Sequence, residues 1–165
     1  MPSSAVQFIS APSPTEFVTL TRPLIGLPVS HAWRDGSALF LEFGKLTPPP
    51  PRGRNPKGEA GLMVEWSWRV ESRRAVQFGS WSGNRKMDNG IASLKRRKLI
   101  EISLVGRLPE VYIELSEDRW VHTFMTREGQ LEWTVFLRDG SWITLSRGRL
   151  VQERSRPKRL TNQSS

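Results

Sequence analysis

From Leu99 to Arg147 the chain is a series of short segments rich in β-branched and aromatic residues, separated by turn-forming residues. The segments cover residues 99–105, 111–115, 120–125, 131–138 and 141–147. Their lengths suit strands better than helices, and Asp139-Gly140 between the last two is a strong signal for a tight hairpin. This half of the chain therefore predicts antiparallel β structure.

Three earlier segments have the same character, namely 37–43, 62–71 and 74–80. Short strands with hairpin links predict a mainly all-β fold, either an antiparallel β-sandwich or an open β-barrel. At most one short helix is expected, since residues 91–98 (IASLKRRK) fit either a short helix or a basic strand. Residues 81–90 predict turns around Asn89-Gly90, and no internal repeat is evident.

One β domain is expected over residues 31–150. Residues 1–30 are rich in proline and predict an irregular arm. Residues 45–61 contain four consecutive prolines followed by glycine and arginine, which predicts a mobile loop with polyproline character. Residues 151–165 predict a basic, disordered tail.

The stretch 65-EWSWRVE-71 places two tryptophans two positions apart. Strand alternation puts Val64, Trp66, Trp68 and Val70 on one wholly apolar face. Burying a tryptophan contributes up to roughly 4–6 kcal/mol, whereas stacking a nucleic-acid base on an exposed one contributes about 1–3 kcal/mol. The apolar face therefore predicts that both rings form a wall of the core.

A two-residue turn at Asp139-Gly140 would set the register of the last hairpin. In that register Leu137 lies opposite Trp142. The residues then predicted to share one buried face are Leu131, Trp133, Val135, Leu137 and Trp142.

Several classes of function are disfavoured by residues that the sequence lacks. There is no cysteine, and His31 and His122 are the only histidines, so neither a metal site nor a cofactor is predicted. The chain also has no phosphate-binding loop and no Gly-x-Ser-x-Gly motif, so an enzyme is not favoured. No apolar run is long enough to span a membrane and the N-terminus does not resemble a signal peptide, which predicts a cytoplasmic protein.

Trp33 and Trp81 lie among turn-forming residues, in SHAWRDG and GSWSG, rather than in alternating strands. Such tryptophans usually cover one end of a core. The alternative is a pocket at the mouth of the sandwich, and it is the only place where a hydrolase site is predicted. The candidate pocket residues are His31, Trp33, Arg34, Asp35 and Trp81.

Basic residues are clustered in a chain whose formal net charge is +9. The candidate patch for an anion or a nucleic acid comprises Arg73, Arg74, Lys95, Arg96, Arg97 and Lys98. Four phosphate contacts by the run at 95–98 would make log K fall with log salt at a slope of about −3 on a single strand. A solvated surface is the simpler interpretation, because no aromatic residue interrupts that run.

Five motifs occur in an order that resembles a family of small uncharacterised bacterial proteins. They are 30-SHAWRDGSALFLEFG-44, 65-EWSWRVE-71, 78-FGSWS-82, 106-GRLPEVYIEL-115 and 139-DGSWITLSRGRL-150. The resemblance covers roughly residues 26–150 and implies a bacterial, cytoplasmic, β-rich domain. It implies no activity.

The sequence thus predicts a non-catalytic module that binds another protein, with the four prolines as a ligand-like feature. A low-specificity nucleic-acid-binding β-barrel is the alternative, and a hydrolase is the least favoured hypothesis.

Overall fold

The structure, a computed structural model, describes residues 6–65, 67–126 and 133–157. The strands are β1 Val6–Ser10, β2 Val29–Asp35, β3 Ala38–Phe43, β4 Ala60–Val64, β5 Trp68–Glu71, β6 Val76–Gly79, β7 Leu99–Val105, β8 Glu110–Leu115, β9 Arg119–Thr123, β10 Trp133–Phe136, β11 Ser141–Ser146 and β12 Arg149–Ser155. The helices are α1 Pro14–Thr21, a 3-10 turn at Arg22–Leu24, and α2 Asn84–Ala92.

The strands form two antiparallel sheets. One sheet has the order β1-β12-β11-β10-β4-β3-β2 and the other has the order β6-β5-β9-β8-β7. Alternate residues of both sheets enter one hydrophobic core, as shown by Leu39 and Leu41 of β3 and by Val111 and Ile113 of β8, which are fully buried. The mainly β prediction is confirmed, and the described sheets form a sandwich rather than a closed barrel.

The first thirty residues contain regular structure where an irregular arm was predicted. The side chain of Ser13 accepts a hydrogen bond from the Glu16 N–H, the Glu16 carboxylate accepts one from the Ser13 N–H, and Pro14 occupies the first turn. This capping box begins α1, whose Phe17 is fully buried. The described residues therefore contain two short helices, one more than expected.

The domain also extends beyond residue 150. Strand β1 pairs with β12, which continues to Ser155, so the first residues of the predicted tail belong to a strand. Residues 158–165 of that tail lie outside the described residues.

Residues 62–71 form parts of two strands instead of one. Strand β4 ends at Val64 in the seven-stranded sheet, and β5 begins at Trp68 in the five-stranded sheet. Ser67 between them has a φ of 55°, a left-handed conformation that breaks the strand. Trp68 is fully buried, which confirms its predicted place in the core, whereas Trp66 lies outside the described residues.

Asn89-Gly90 lies within helix α2, so the predicted turn at this dipeptide is wrong. A Cβ atom at Gly90 would lie 2.5–2.7 Å from ring atoms of Phe78. The glycine therefore permits the helix to pack closely on β6, and its role in packing outweighs its tendency to form turns.

The last hairpin differs from its predicted register by one residue. Phe136 lies opposite Trp142, because the turn contains three residues, 138–140, and the Leu137 N–H donates to the Ser141 carbonyl. Gly140 takes the left-handed conformation, with a φ of 82°, that such a turn requires. A shift of one residue moves a side chain to the other face, so Trp142 lies outside the core while Trp133 is fully buried. Leu131 lies outside the described residues.

The structure also contains an internal repeat that the sequence did not reveal. A unit of one helix followed by five strands, α1 with β2–β6, is repeated as α2 with β7–β11. Leu24 and Leu94, seventy residues apart, are both fully buried, and Gly36 and Gly106, also seventy apart, both have positive φ. These two pairs are the only identities between 12–36 and 82–106 at this spacing, which explains why the sequence did not show the repeat.

The two units are related by an approximate twofold arrangement. The Gly26 N–H donates to the Leu99 carbonyl, and the Arg96 N–H donates to the Val29 carbonyl. The two donors are seventy residues apart, and so are the two acceptors, so the second hydrogen bond is the symmetric counterpart of the first. Each unit also places its last two strands beside the three strands of the other unit. The hairpin β5–β6 therefore joins β9, and β10–β11 joins β4.

Candidate functional site

The outer face of the seven-stranded sheet carries two rows of paired side chains. The first row, across six strands, is Glu153, Trp142, Phe136, Gly61, Glu42 and His31. The second row is Val151, Thr144, Thr134, Met63, Phe40 and Trp33. Four aromatic rings thus lie on a face that points away from the sandwich core.

A cleft of about 410 Å³ lies at the end of this face. Its lining includes all four of these rings, Trp33, Phe40, Phe136 and Trp142. Trp33 stacks on Phe40, with ring centroids 3.9 Å apart, and Phe136 lies 6.5 Å from Trp142. Strand pairing across the sheet therefore brings the two aromatic pairs into one cleft. We call this cleft the aromatic cleft.

Gly61 separates the aromatic pair Phe136–Trp142 from Glu42. A Cβ atom at Gly61 would lie 3.2 Å from the Glu42 carboxylate and 3.6 Å from the Phe136 ring. The missing side chain thus leaves room between the two flanking residues, a common role for a glycine within a strand.

The loop that contains the four prolines forms one side of the aromatic cleft. Lys57, Gly58 and Glu59 of its returning limb line the cleft. The Gly58 N–H donates to the Glu42 carboxylate at 2.9 Å, and Arg138 of the last hairpin donates to the Glu59 carboxylate at 2.7 Å. These contacts hold the returning limb against β3 and the turn that follows β10.

A further contact ties this loop to strand β2. The His31 ring nitrogen Nε2 lies 2.9 Å from Oδ1 of Asn55, and a backbone bridge joins Thr47 to Lys57. His31 therefore orders the loop, and it does so from the same face of the sheet as Trp33.

Glu42 is the carboxylate with the most constrained surroundings in the aromatic cleft. Burial raises its pKa above the ordinary value of 4.5, although the hydrogen bond from Gly58 opposes the shift. Within the described residues no Lys, Arg or His comes within ion-pair distance of it. The charges of Lys57 and His31 also oppose the rise in its pKa, but neither residue forms an ion pair with Glu42, so the half-buried carboxylate can still accept hydrogen bonds from an incoming cation.

The five predicted pocket residues do not all contribute to this cleft. Trp33 lines it and His31 lies in the adjoining row, but Arg34 points to the other side of β2. Arg34 pairs with Asp88 of α2 and donates to the carbonyl of Gly36. Strand alternation explains this separation, because neighbouring residues of a strand point to opposite faces.

The other two members of that predicted set lie near turns. Asp35 is exposed at the end of β2, where the chain turns into β3. Trp81 precedes α2 and is 72% exposed. Phe40, Phe136 and Trp142 were not predicted as site residues. The alternation around each of them indicates one face of a strand, but it does not indicate whether that face is buried in the core or open to a ligand.

The two parts of the predicted basic patch lie at the same end of the five-stranded sheet. Arg73 and Arg74 lie in the turn between β5 and β6, and Lys95–Lys98 join α2 to β7. The turn between β8 and β9 lies between them, because Arg73 pairs with Asp118 at 2.9 Å and Arg97 pairs with Glu117 at 3.1 Å.

Arg97 has a mainly structural role within this patch. Its side chain donates to the backbone carbonyls of Ser93, Ser116 and Glu117, and only 13% of it is exposed. Lys95, Arg96 and Lys98 are exposed. The run at 95–98 therefore offers three exposed cations instead of four.

A second cleft, of about 750 Å³, lies between α2 and the edge of the five-stranded sheet that β6 forms. Its polar lining residues are Gln77, Asn84, Arg85, Lys86, Asn89, Ser93 and Arg119. The helical spacing of Arg85, Asn89 and Ser93 is the signal that could have identified this face, but the Asn-Gly pair within it indicated a turn. We call this second cleft the cationic cleft.

Across 6–65, 67–126 and 133–157, no three His, Asp or Glu side chains are arranged to hold a metal ion. None of the helices in those ranges is both long and apolar enough to cross a membrane.

Comparison with known proteins gave no match to a family model, to a curated protein or to a solved structure. The resemblance to a bacterial family therefore stays a prediction from the five motifs.

Proposed function

We propose that the protein is a non-catalytic binding module and that its aromatic cleft receives a segment of another protein. The observation that supports this proposal is the combination of four aromatic rings with the half-buried carboxylate of Glu42. Tryptophan and other aromatic side chains are enriched where proteins bind one another, and so is arginine. The cleft therefore suits a segment that inserts an arginine or lysine beside apolar side chains.

The Glu42 carboxylate supports a cationic anchor on the partner, since Arg138, one of the two cations of the lining, is already paired with Glu59. A guanidinium can stack on an aromatic face and donate two hydrogen bonds to a carboxylate, which matches a cleft that presents both groups. The second carboxylate of the cleft is already engaged, because Glu59 accepts hydrogen bonds from the Lys45 N–H and from Arg138. These contacts lower the pKa of Glu59 and leave Glu42 as the acceptor for the partner.

Catalysis is not proposed for this cleft. A glycosidase-type acid and base would require two carboxylates that are both able to reach a substrate. The engagement of Glu59 with Lys45 and Arg138 leaves only Glu42 for that purpose.

Selection of peptides from a random displayed library tests the proposal. Peptides selected on the wild-type protein should contain arginine or lysine flanked by apolar residues. Their affinity should fall by about 10-fold or more in Glu42→Gln and in Phe136→Ala, since anchor residues typically contribute more than 1 kcal/mol. Phe8→Ala is a matched control, because Phe8 is an exposed aromatic residue of β1 that does not line the cleft.

Two outcomes would contradict the proposal. The first is that the selected peptides bind Glu42→Gln and Phe136→Ala as tightly as the wild-type protein. The second is that no peptide is enriched over a control selection without protein. Loss of binding in Phe8→Ala alone would move the docking surface to β1.

A further inference from the structure

The cationic cleft collects positive charge from three separate parts of the chain. Arg85 and Lys86 come from the first turn of α2, and Arg119 comes from the start of β9. None of the described residues that line this cleft is a carboxylate. Unlike Arg73 and Arg97, these three cations form no ion pair with a carboxylate of the described residues.

More cations surround the cationic cleft at the same end of the sheet. Arg74, Lys95, Arg96 and Lys98 are exposed on the adjoining turns. The nearby carboxylates are already paired, as Asp88 binds Arg34 and Asp118 binds Arg73. The surplus of positive charge thus continues from the cleft onto the surface around it, as a ligand with several phosphates would require.

The same cleft offers groups that are suited to bases. Asn84, Asn89 and Gln77 place side-chain amides in its lining, and the ring of Phe78 contributes apolar surface. Side-chain amides can hydrogen-bond to the edges of unpaired bases.

We propose that the cationic cleft binds single-stranded nucleic acid, with Arg85, Lys86 and Arg119 contacting the phosphodiester backbone. An acidic peptide would be attracted by the charge alone, but it would not require three side-chain amides among the cations. A duplex is less suitable, because the Watson–Crick edges of its bases are already paired and cannot reach these amides. This inference is independent of the aromatic cleft, which lies on the seven-stranded sheet.

Fluorescence anisotropy with labelled 20-nucleotide single strands of mixed sequence, RNA and DNA, tests the inference. The test variant carries Arg85→Gln, Lys86→Gln and Arg119→Gln. At about 50 mM salt we expect it to lose roughly 30-fold or more in affinity. The plot of log K against log salt should become shallower by about 2, because each phosphate contact on a single strand contributes roughly 0.7 to the slope.

A matched control separates the site from the overall charge. Lys45→Gln, Arg52→Gln and Arg54→Gln together remove the same three charges from the loop beside the other sheet. This control should bind within about twofold of the wild-type protein at the same salt concentration. Far-UV circular dichroism and thermal unfolding establish that both triple variants are folded.

Each alternative result would overturn the inference. Equal losses in the two triple variants would show a general charge effect, and no binding of either single strand at about 50 mM salt would exclude the ligand. Equal affinity for polyglutamate would reduce the site to a polyanion surface. A preference for the matched duplex would contradict single-strand recognition.

Discussion

Replacing Trp68 by phenylalanine should lower stability, because Trp68 is a core residue that lines neither cleft. The Trp68 side chain is fully buried, and its indole N–H donates to the Ser37 carbonyl at 2.7 Å. Phenylalanine removes this hydrogen bond, at a cost of about 1 kcal/mol. It also leaves a space of roughly 40 Å³, which adds about 1 kcal/mol. We therefore expect the free energy of unfolding to fall by about 2 kcal/mol.

The approximate twofold arrangement extends this prediction to Trp133. Its side chain is also fully buried, and its indole N–H donates to the Pro109 carbonyl at 3.1 Å in the equivalent turn of the second unit. Trp133→Phe should therefore cost about as much as Trp68→Phe. Trp142→Phe is the control, because Trp142 lies half-buried on the outer face and its replacement should cost less than about 1 kcal/mol.

Urea unfolding followed by far-UV circular dichroism measures the three values, with the slope m expected to stay constant. In thermal unfolding a loss of 2 kcal/mol corresponds to a fall in Tm of about 4–8 °C for a domain of this size. A cost below about 0.5 kcal/mol for Trp68→Phe would refute its place in the core wall. A cost for Trp142→Phe equal to that for Trp68→Phe would refute the three-residue turn.

Gly90→Ala should destabilise the protein by about 1 kcal/mol, because the added Cβ would overlap the Phe78 ring. Alanine normally favours a helix over glycine, so a rise in the free energy of unfolding, measured in urea, would contradict this prediction. Glu42→Gln should raise Tm at pH 7 and lose that advantage near pH 4. Burial raises the pKa of Glu42, so the wild-type carboxyl stabilises the fold below its unfolded pKa of 4.5. That contribution is lost as pH rises through the folded pKa. A difference in Tm that does not change with pH would contradict this reasoning. Ser13→Ala should cost about 1 kcal/mol by removing the cap of α1, whereas Thr19→Ala on the exposed face of the same helix should cost less than about 0.5 kcal/mol in the same urea assay.

Local patterns predicted most of the strands but not their boundaries. Six of the eight predicted segments each correspond to a single strand, namely β3, β6, β7, β8, β9 and β10. Segment 141–147 contains β11, and segment 62–71 contains parts of β4 and β5. Strands β1, β2 and β12 were missed. Val29–Asp35 contains His, Trp and Arg, and its apolar alternation is too weak to indicate a strand without its partner β3.

The candidate sites were only partly predictable. Trp33 was identified as a pocket residue because it lies in a turn-rich context, and the basic runs were identified by composition. The two basic runs, Arg73–Arg74 and Lys95–Lys98, lie at the same end of the sheet because of the way in which β5, β9, β8 and β7 pair. No local sequence pattern contains that information. Arg85 and Arg119 were not predicted because each is a single cation in its own segment.

The sequence by itself determined that the protein is mainly β, that Trp68 and Trp133 are buried, and that thiol chemistry is excluded. Alternation and composition act over a few residues, so these properties can be recognised locally. Only the tertiary structure decided that Trp142 faces outward, that two dissimilar units repeat one arrangement, and that the two clefts exist. The physical reason for the first is that the register of a hairpin changes with a single residue in its turn. The clefts depend on strands that are distant in the chain and become neighbours only through backbone pairing.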